Sequence, residues 1–256
     1  FYRKGGLSLN LQTFFLFHPK AALAFSGGVD SAYLLYAAKQ MHCDLRAYFV
    51  QSQFQPEFEL QDAQRFTEQL GIPLTVLPCD ILQHPLVVEN GPLRCYHCKT
   101  ALFTALWERA RMDGYPLLLD GTNASDRTDD RPGMRALEEL EVRSPLRECG
   151  LTKADIRSLS REAGLFTWDK PAYACLATRI PTGTSITAEQ LEHVERSEQI
   201  LSSLGFSDLR VRTENGSASL ELPHPQFIRA VQLHQEIRTA LSPYFKRVLL
   251  NLAPRD

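Results

Sequence analysis

Six residues, Ser26-Gly27-Gly28-Val29-Asp30-Ser31, limit what this chain can become more than any others. The run before them, Ala21 to Phe25, is short and apolar and reads as a buried strand. The run after them, Ser31 to Gln40, places apolar residues at helical spacing among good helix formers. Two glycines at such a strand-to-helix turn let the backbone approach an anion closely. Ser26 and Ser31 add hydroxyls, and the new helix offers unpaired N–H groups at its positive end. No Gly-Lys-Ser/Thr follows, so this is not a Walker loop. The plainer alternative is a glycine turn that only joins strand to helix.

The same alternation continues along the chain. Leu45 to Val50, Leu74 to Leu77 and Pro116 to Leu119 read as strands. Glu57 to Leu70 reads as a helix stopped by Gly71 and Pro73, and Thr100 to Met112 as another. Strands alternating with helices predict a parallel sheet covered on both faces. Residues 123–135 are polar and charged and read as a loop. Thr152 to Ala163 reads as a helix with Thr152 as N-cap and Gly164 as stop. A Pro- and Gly-marked stretch from Lys170 to Gly183 follows, and the domain boundary is expected there. Beyond it come a helix over Ala188 to Leu204, strands over Leu209 to Thr213 and Ser217 to Leu222, a helix over Gln226 to Ala240 and a strand over Arg247 to Leu252. Asn215-Gly216 between the two strands is a hairpin signal. The second part is therefore expected to be a small α+β unit.

The 256 residues include 28 Lys plus Arg and 30 Asp plus Glu, a net charge of −2, with an isoelectric point near 6.4. That argues against a protein held to nucleic acid by bulk charge. At 44% apolar and 23% charged the composition is globular, which excludes a disordered or fibrous chain. No apolar run is long enough to span a membrane; Thr13 to Phe17 is the nearest and is too short. Residues 1–17, with Arg3 and Lys4 ahead of that patch, resemble a secretory signal but lack a small-residue cleavage site. Six cysteines are too few for a disulfide scaffold, so a reducing, cytoplasmic setting is expected.

Two of those cysteines form a C-x-x-C, in Arg94-Cys95-Tyr96-His97-Cys98-Lys99. By spacing alone this is a redox pair, half a zinc site or two core thiols. No second C-x-x-C is present, which disfavours a four-cysteine zinc site. His97 reads as an exposed loop histidine. Cys175 lies in the interdomain stretch. Cys43, Cys79 and Cys149 read as plain structural thiols. Three thiolates are enough to hold a [4Fe–4S] cluster with one iron open, where fully held clusters use four.

The hexapeptide resembles the PP-loop of the ATP pyrophosphatase superfamily, which includes asparagine, GMP and NAD synthetases and tRNA thiolases. That resemblance implies an adenine nucleotide alpha hydrolase-like fold: a doubly wound parallel sheet, here over residues 1–178, with a small C-terminal α+β domain for substrate or oligomerisation over 179–256. It also implies that ATP is split between its α- and β-phosphorus. Pyrophosphate would sit in the loop with Mg²⁺ sharing its charge, and Asp30 is the nearest candidate ligand. The chain more narrowly resembles the LarE family, ATP-dependent sulfur transferases that help make the nickel-pincer nucleotide of lactate racemase. The matching pieces are residues 25–31 (FSGGVDS), 94–99 (RCYHCK), 120–133 (DGTNASDRTDDRPG), 144–157 (SPLRECGLTKADIR), 168–183 (WDKPAYACLATRIPTG), 209–212 (LRVR) and 220–223 (LELP). One departure is Thr182-Gly183, where family members often carry Tyr-Gly.

The family's chemistry would then be two-step. ATP adenylates a carboxylate of pyridinium-3,5-biscarboxylic acid mononucleotide, and a sulfur nucleophile displaces AMP to leave a thiocarboxylate. Position by position, the resemblance implies that Ser26, Gly27, Gly28, Asp30 and Ser31 hold the ATP phosphates. Ser52 would lie near the adenine and Gly121 at a nucleotide-binding strand end. Asp126, Asp129 and Arg131 match the family's acidic active-site loop. Arg179 follows the sulfur cysteine, Cys175. Arg210 and Arg212 match a pair for the substrate phosphate, and strand alternation puts both on one face. Glu221 matches a further active-site carboxylate. Without the family, the two arginines and the acidic loop read as solvated charges. One branch of the family gives up the sulfur of its single cysteine. The other holds a [4Fe–4S] cluster on three, matching Cys95, Cys98 and Cys175, and this chain has all three. The implied partners are a small nucleotide substrate, a sulfide or sulfur donor and further copies of the chain. The alternatives are a PP-loop tRNA thiolase with a [4Fe–4S] cluster and a non-catalytic nucleotide-binding module. Val29 stands where cluster-type thiolases usually carry lysine, and no Lys/Arg-rich stretch is present.

Overall fold

The computed structural model describes residues 10–126 and 132–255. Two compact units account for it. The first comprises residues 1–52, 57–79 and 95–173, and the second comprises residues 53–56, 80–94 and 174–256.

The first unit is built on a four-stranded, all-parallel sheet of β1 (Lys20–Ala24), β2 (Asp44–Gln51), β3 (Leu74–Pro78) and β4 (Leu118–Leu119), in the order β3-β2-β1-β4. The longer helices are α1 (Val29–Gln40), α2 (Glu57–Leu70) and α3 (Arg94–Met112) between the strands, and α4 (Pro132–Glu139) and α5 (Lys153–Glu162) after β4. Side-chain alternation along β1 and β2 explains the layering. Ala21, Leu23, Leu45, Ala47 and Phe49 face one apolar cluster, with Leu34, Leu35 and Phe66. Ala22 and Tyr48 face a second, with Leu106, Trp107 and Leu137. A sheet buried on both faces needs the near-continuous apolar strands that the sequence supplies. The chain runs from β1 to its neighbour β2 on one side and returns to β4 on the other. The carboxyl ends of β1 and β4 therefore flank the switch point of the sheet, where open α/β folds bind ligands.

Three local expectations differ from the structure. The helix expected from Thr100 begins at Arg94, so the C-x-x-C and His97 lie in its opening turns rather than in a loop. Those turns lack apolar periodicity but are anchored from α4: the Tyr96 hydroxyl donates to Glu139 at 2.6 Å, and the Arg135 guanidinium stacks on the Tyr96 ring at 4.1 Å. Residues 132–135, expected as loop, open α4, because Pro132 suits a first helical turn and Ala136 and Leu137 bury beneath it. The helix expected over residues 226–240 is broken at Leu233. The apolar patch at Thr13 to Phe17 falls within a short helix, Leu11–Phe17, capped by the Asn10 side chain.

The second unit holds helix α6 (Ala188–Ser203) and a three-stranded sheet of β5 (Arg210–Glu214), β6 (Ser217–Glu221) and β7 (Arg247–Leu250), with α7 (Phe227–Gln232) and α8 (His234–Leu241) between β6 and β7. β5 and β6 are antiparallel around Asn215-Gly216, as the hairpin signal predicts, and β7 runs parallel to β6. Its core gathers Leu201, Phe206, Val211, Leu220, Ile237 and Leu241. No helix among the described residues is long and apolar enough to cross a membrane.

Candidate active site

In the first unit the loop after β1 is tight. Gly27 has φ +68°, and a Cβ there would sit 3.1 Å from the Glu59 carbonyl and 3.3 Å from the Ala63 nitrogen of α2. Only glycine takes this backbone without strain and lets α2 pack so closely. Gly28 is the N-cap of α1, so the first amides of that helix open onto the loop. The hydroxyls of Ser26 and Ser31 lie 3.2 Å apart, and Ser31 donates to the Gly28 carbonyl at 3.2 Å. Gly121, past β4, comes so close that a Cβ would be 3.0 Å from the Ser31 nitrogen. Ser52, just past β2, is buried.

Charged groups close around this loop. The Lys153 ammonium, on the first residue of α5, lies 2.6 Å from the Asp30 carboxylate, and the Asn123 amide donates to the same carboxylate at 3.4 Å. Asp126 accepts from the Asn123 backbone at 2.9 Å, which links the acidic loop to Asp30 through one residue. Asp120, at the end of β4, is buried and accepts from the Ser144 hydroxyl at 2.7 Å and from Thr122. The Lys170 ammonium donates to the Gly27 carbonyl at 3.2 Å and pairs with Asp62 at 2.6 Å. Two cations, at Lys153 and Lys170, thus border a loop of backbone amides and hydroxyls. That combination suits a polyphosphate. Asp129 and Arg131 lie outside the described residues.

Asn123, Lys153 and Lys170 lie inside the family-matching pieces but were not singled out as candidate site residues. The capping threonine before Lys153 indicates a helix start rather than a ligand.

The second unit gathers a different set. Cys175 is half-buried and caps a 3₁₀ turn over Leu176–Arg179. Arg179 is 1% exposed. Its guanidinium donates to both oxygens of Glu198, at 2.8 and 3.2 Å, and to the carbonyls of Ala174 and Cys175 at 2.8 and 3.3 Å. Glu198 also accepts from the Val211 amide at 2.9 Å. Arg212 pairs with Glu221 at 2.6 Å and donates to the Thr178 carbonyl. Three expected residues, Arg179, Arg212 and Glu221, are therefore tied to the Cys175 turn. Arg210 behaves otherwise. It is buried, not on a solvent face, and its guanidinium turns back to the Leu209 carbonyl at 2.7 Å and toward Asp208.

Cys95 and Cys98 are three residues apart on α3, in the first unit, and so share a helical face. Cys95 is exposed and Cys98 half-buried, and Cys175 belongs to the second unit. Their thiol chemistry suits iron and sulfide. Among the described residues, no three His, Cys, Asp or Glu side chains form a group that could hold a metal ion. Burial pushes the Cys43 and Cys149 thiols up to about 11, so both stay protonated and inert at neutral pH.

An all-parallel sheet flanked by helices, with a Ser-Gly-Gly turn at its switch point, is the arrangement of a PP-loop-like α/β protein. No protein-family model matches the chain. It is 31% identical over 236 residues to the pyridinium-3,5-bisthiocarboxylic acid mononucleotide synthase of Lactiplantibacillus plantarum, covering 91% of this chain and 86% of that protein. It is 37% identical over 248 residues to an uncharacterized protein of Synechocystis, covering 95% of this chain and 92% of that protein. An uncharacterized protein of Methanocaldococcus jannaschii is 29% identical over 236 residues, covering 92% and 90%. The chain therefore belongs to the LarE family, that of the Lactiplantibacillus synthase.

Proposed function

We propose that this protein is an ATP-dependent sulfur transferase acting on pyridinium-3,5-biscarboxylic acid mononucleotide. The observation that carries the reading is the Ser26–Ser31 loop at the end of β1, bordered by the ammonium groups of Lys153 and Lys170, in a chain 31% identical to a synthase of the bisthiocarboxylic nucleotide. A carboxylate oxygen of the substrate attacks the α-phosphorus of ATP, the bond to the β-phosphate oxygen breaks, and pyrophosphate leaves. The loop amides, Ser26, Ser31 and the two lysines hold the leaving pyrophosphate as its charge develops. Mg²⁺ at Asp30 would share that charge. Ser52 and Gly121 line the nucleotide side. Asp126 holds Asn123 and, through it, Asp30. A sulfur nucleophile then attacks the acyl carbon, the carbon–oxygen bond to AMP breaks, and a thiocarboxylate remains.

Cys175 is the sulfur-bearing residue of this reading, and Arg179 orients it. Cys95, Cys98 and Cys175 would hold a [4Fe–4S] cluster, the three-cysteine branch of the family, which when bound supplies a sulfide at the iron no cysteine holds. Arg210 and Arg212 are the pair for the substrate phosphate, and Glu221, which pairs with Arg212, is the further active-site carboxylate. The second unit is the small substrate and assembly part, working in a homo-oligomer in the cytoplasm.

The test combines ATP, Mg²⁺, sulfide and the biscarboxylic nucleotide with anaerobically purified protein. AMP, pyrophosphate and a thiocarboxylate product support the reading; no AMP with this acceptor overturns it. Iron analysis alongside decides the sulfur source. About four irons per chain, lost in Cys175→Ala, support the cluster. No iron after reconstitution, with loss of one H₂S from Cys175 on turnover, replaces it with a sacrificial cysteine.

A further inference from the structure

The second unit contains a buried polar device that the reaction above does not use. Asn90 is fully buried and sits at φ +55°, a left-handed backbone that asparagine tolerates better than most residues. Its side-chain amide donates to the carbonyls of Pro181, Thr184 and Ile180, at 2.9, 3.0 and 3.4 Å. Its backbone carbonyl accepts from the Gly183 amide at 2.9 Å. Its side-chain oxygen accepts from Arg94 at 2.7 Å, and the same Arg94 nitrogen donates to the Ala177 carbonyl at 2.9 Å. Two residues earlier, the Val88 carbonyl accepts from Ile186 at 2.8 Å.

Apart from the bond between Asn90 and Arg94, all of these fall on one stretch, residues 177–186, that begins two residues after Cys175. On its other side, Arg179 holds the carbonyls of Ala174 and Cys175, and Arg212 that of Thr178. Guanidinium groups thus take the carbonyls of residues 174, 175, 177 and 178. An apolar residue at position 90 would close the loop by burial alone. A side chain whose every polar atom addresses that loop or Arg94 instead sets its register, because each directional bond fails on a small shift.

We propose that Asn90 and Arg94 are positioning residues that fix the Cys175 turn for sulfur transfer. The proposal rests on the reading of Cys175 as the sulfur-bearing residue. Arg94 is the last residue before Cys95, so the residue that secures the Cys175 turn adjoins the C-x-x-C in the chain.

The full-length protein tests this with Arg94→Gln, Arg94→Lys and Asn90→Ala. In Arg94→Gln, kcat for thiocarboxylate formation falls at least about tenfold while KM for ATP stays within about twofold and AMP still forms. Iodoacetamide labelling of Cys175, followed by peptide mass spectrometry, speeds up at least about tenfold as the turn loosens. Arg94→Lys, which keeps the positive charge and a long reach at this position, recovers part of both effects. A folded Arg94→Gln protein with wild-type product rate and wild-type labelling overturns the proposal. Should Asn90→Ala not fold, the two Arg94 variants still decide. A wild-type protein that forms no AMP sinks the sulfur-transferase reading instead, and the labelling ratio then tests the turn alone.

Discussion

Arg179 and Glu198 form the least exposed ion pair among the described residues, at 1% and 8% side-chain exposure. A buried pair adds little net stability, but removing one partner strands a charge. Glu198→Ala is expected to cost about 3–5 kcal/mol, read from urea unfolding, with Glu198→Gln milder because it keeps an acceptor for the Val211 amide. The thiols of Cys43 and Cys149 give a pH prediction. Their folded pKa, about 11, lies above the ordinary 9.0, with burial as the main cause. The protonated form is favoured on folding, so their contribution is complete below pH 9 and is lost as pH rises through 11. At pH 8, both are expected to alkylate far more slowly in the native protein than in urea, and equal rates would contradict their burial. Gly27 and Asp30 stood out as candidates because glycine at a strand-to-helix turn leaves a local mark. Lys153 did not, because its partner Asp30 lies 123 positions away.

At the scale of elements, α5 delivers Lys153 to the loop. Its start is a capping box, with Thr152 accepting from the Asp155 amide and Asp155 accepting from the Thr152 amide. The hydrogen bonds from Thr152 hold Asp155 below the usual carboxylate range. That contribution is therefore present above the ordinary pKa and lost as pH falls through the folded value. Thr152→Ala is expected to cost about 1 kcal/mol in thermal or urea unfolding and to weaken ATP binding by loosening Lys153. Lys153→Met should leave stability near wild type and weaken ATP binding by about tenfold or more in calorimetry; unchanged affinity would remove it from the phosphate site. Elements with strong local signals were legible: α2 and α6 by periodicity, α5 by its cap, and the β5–β6 pair by Asn215-Gly216. The opening turns of α3 and the break at Leu233 were not. The first is stabilised by contacts of Tyr96 with Arg135 and Glu139 of another helix, and the second lies inside an uninterrupted helical pattern.

For the whole molecule, a net charge of −2 bears on what it can bind. Binding to tRNA through phosphates needs many cations, and its affinity falls steeply with salt. The protein is expected to show no salt-sensitive tRNA binding at physiological ionic strength; tight binding there would favour the thiolase alternative. The sequence by itself determined the alternation of strands and helices, the parallel sheet it requires, and the Ser-Gly-Gly turn after the first strand, because these follow from short-range periodicity, caps and glycine placement. Its motifs were also enough to mark the family. Tertiary structure alone decided which cations border the loop. It also decided that Arg179 spends its guanidinium on Glu198 and the Cys175 backbone, that Arg210 is buried, and that Asn90 and Arg94 hold residues about 90 positions ahead of them. Such pairings depend on where the folded chain returns, and no local pattern records that.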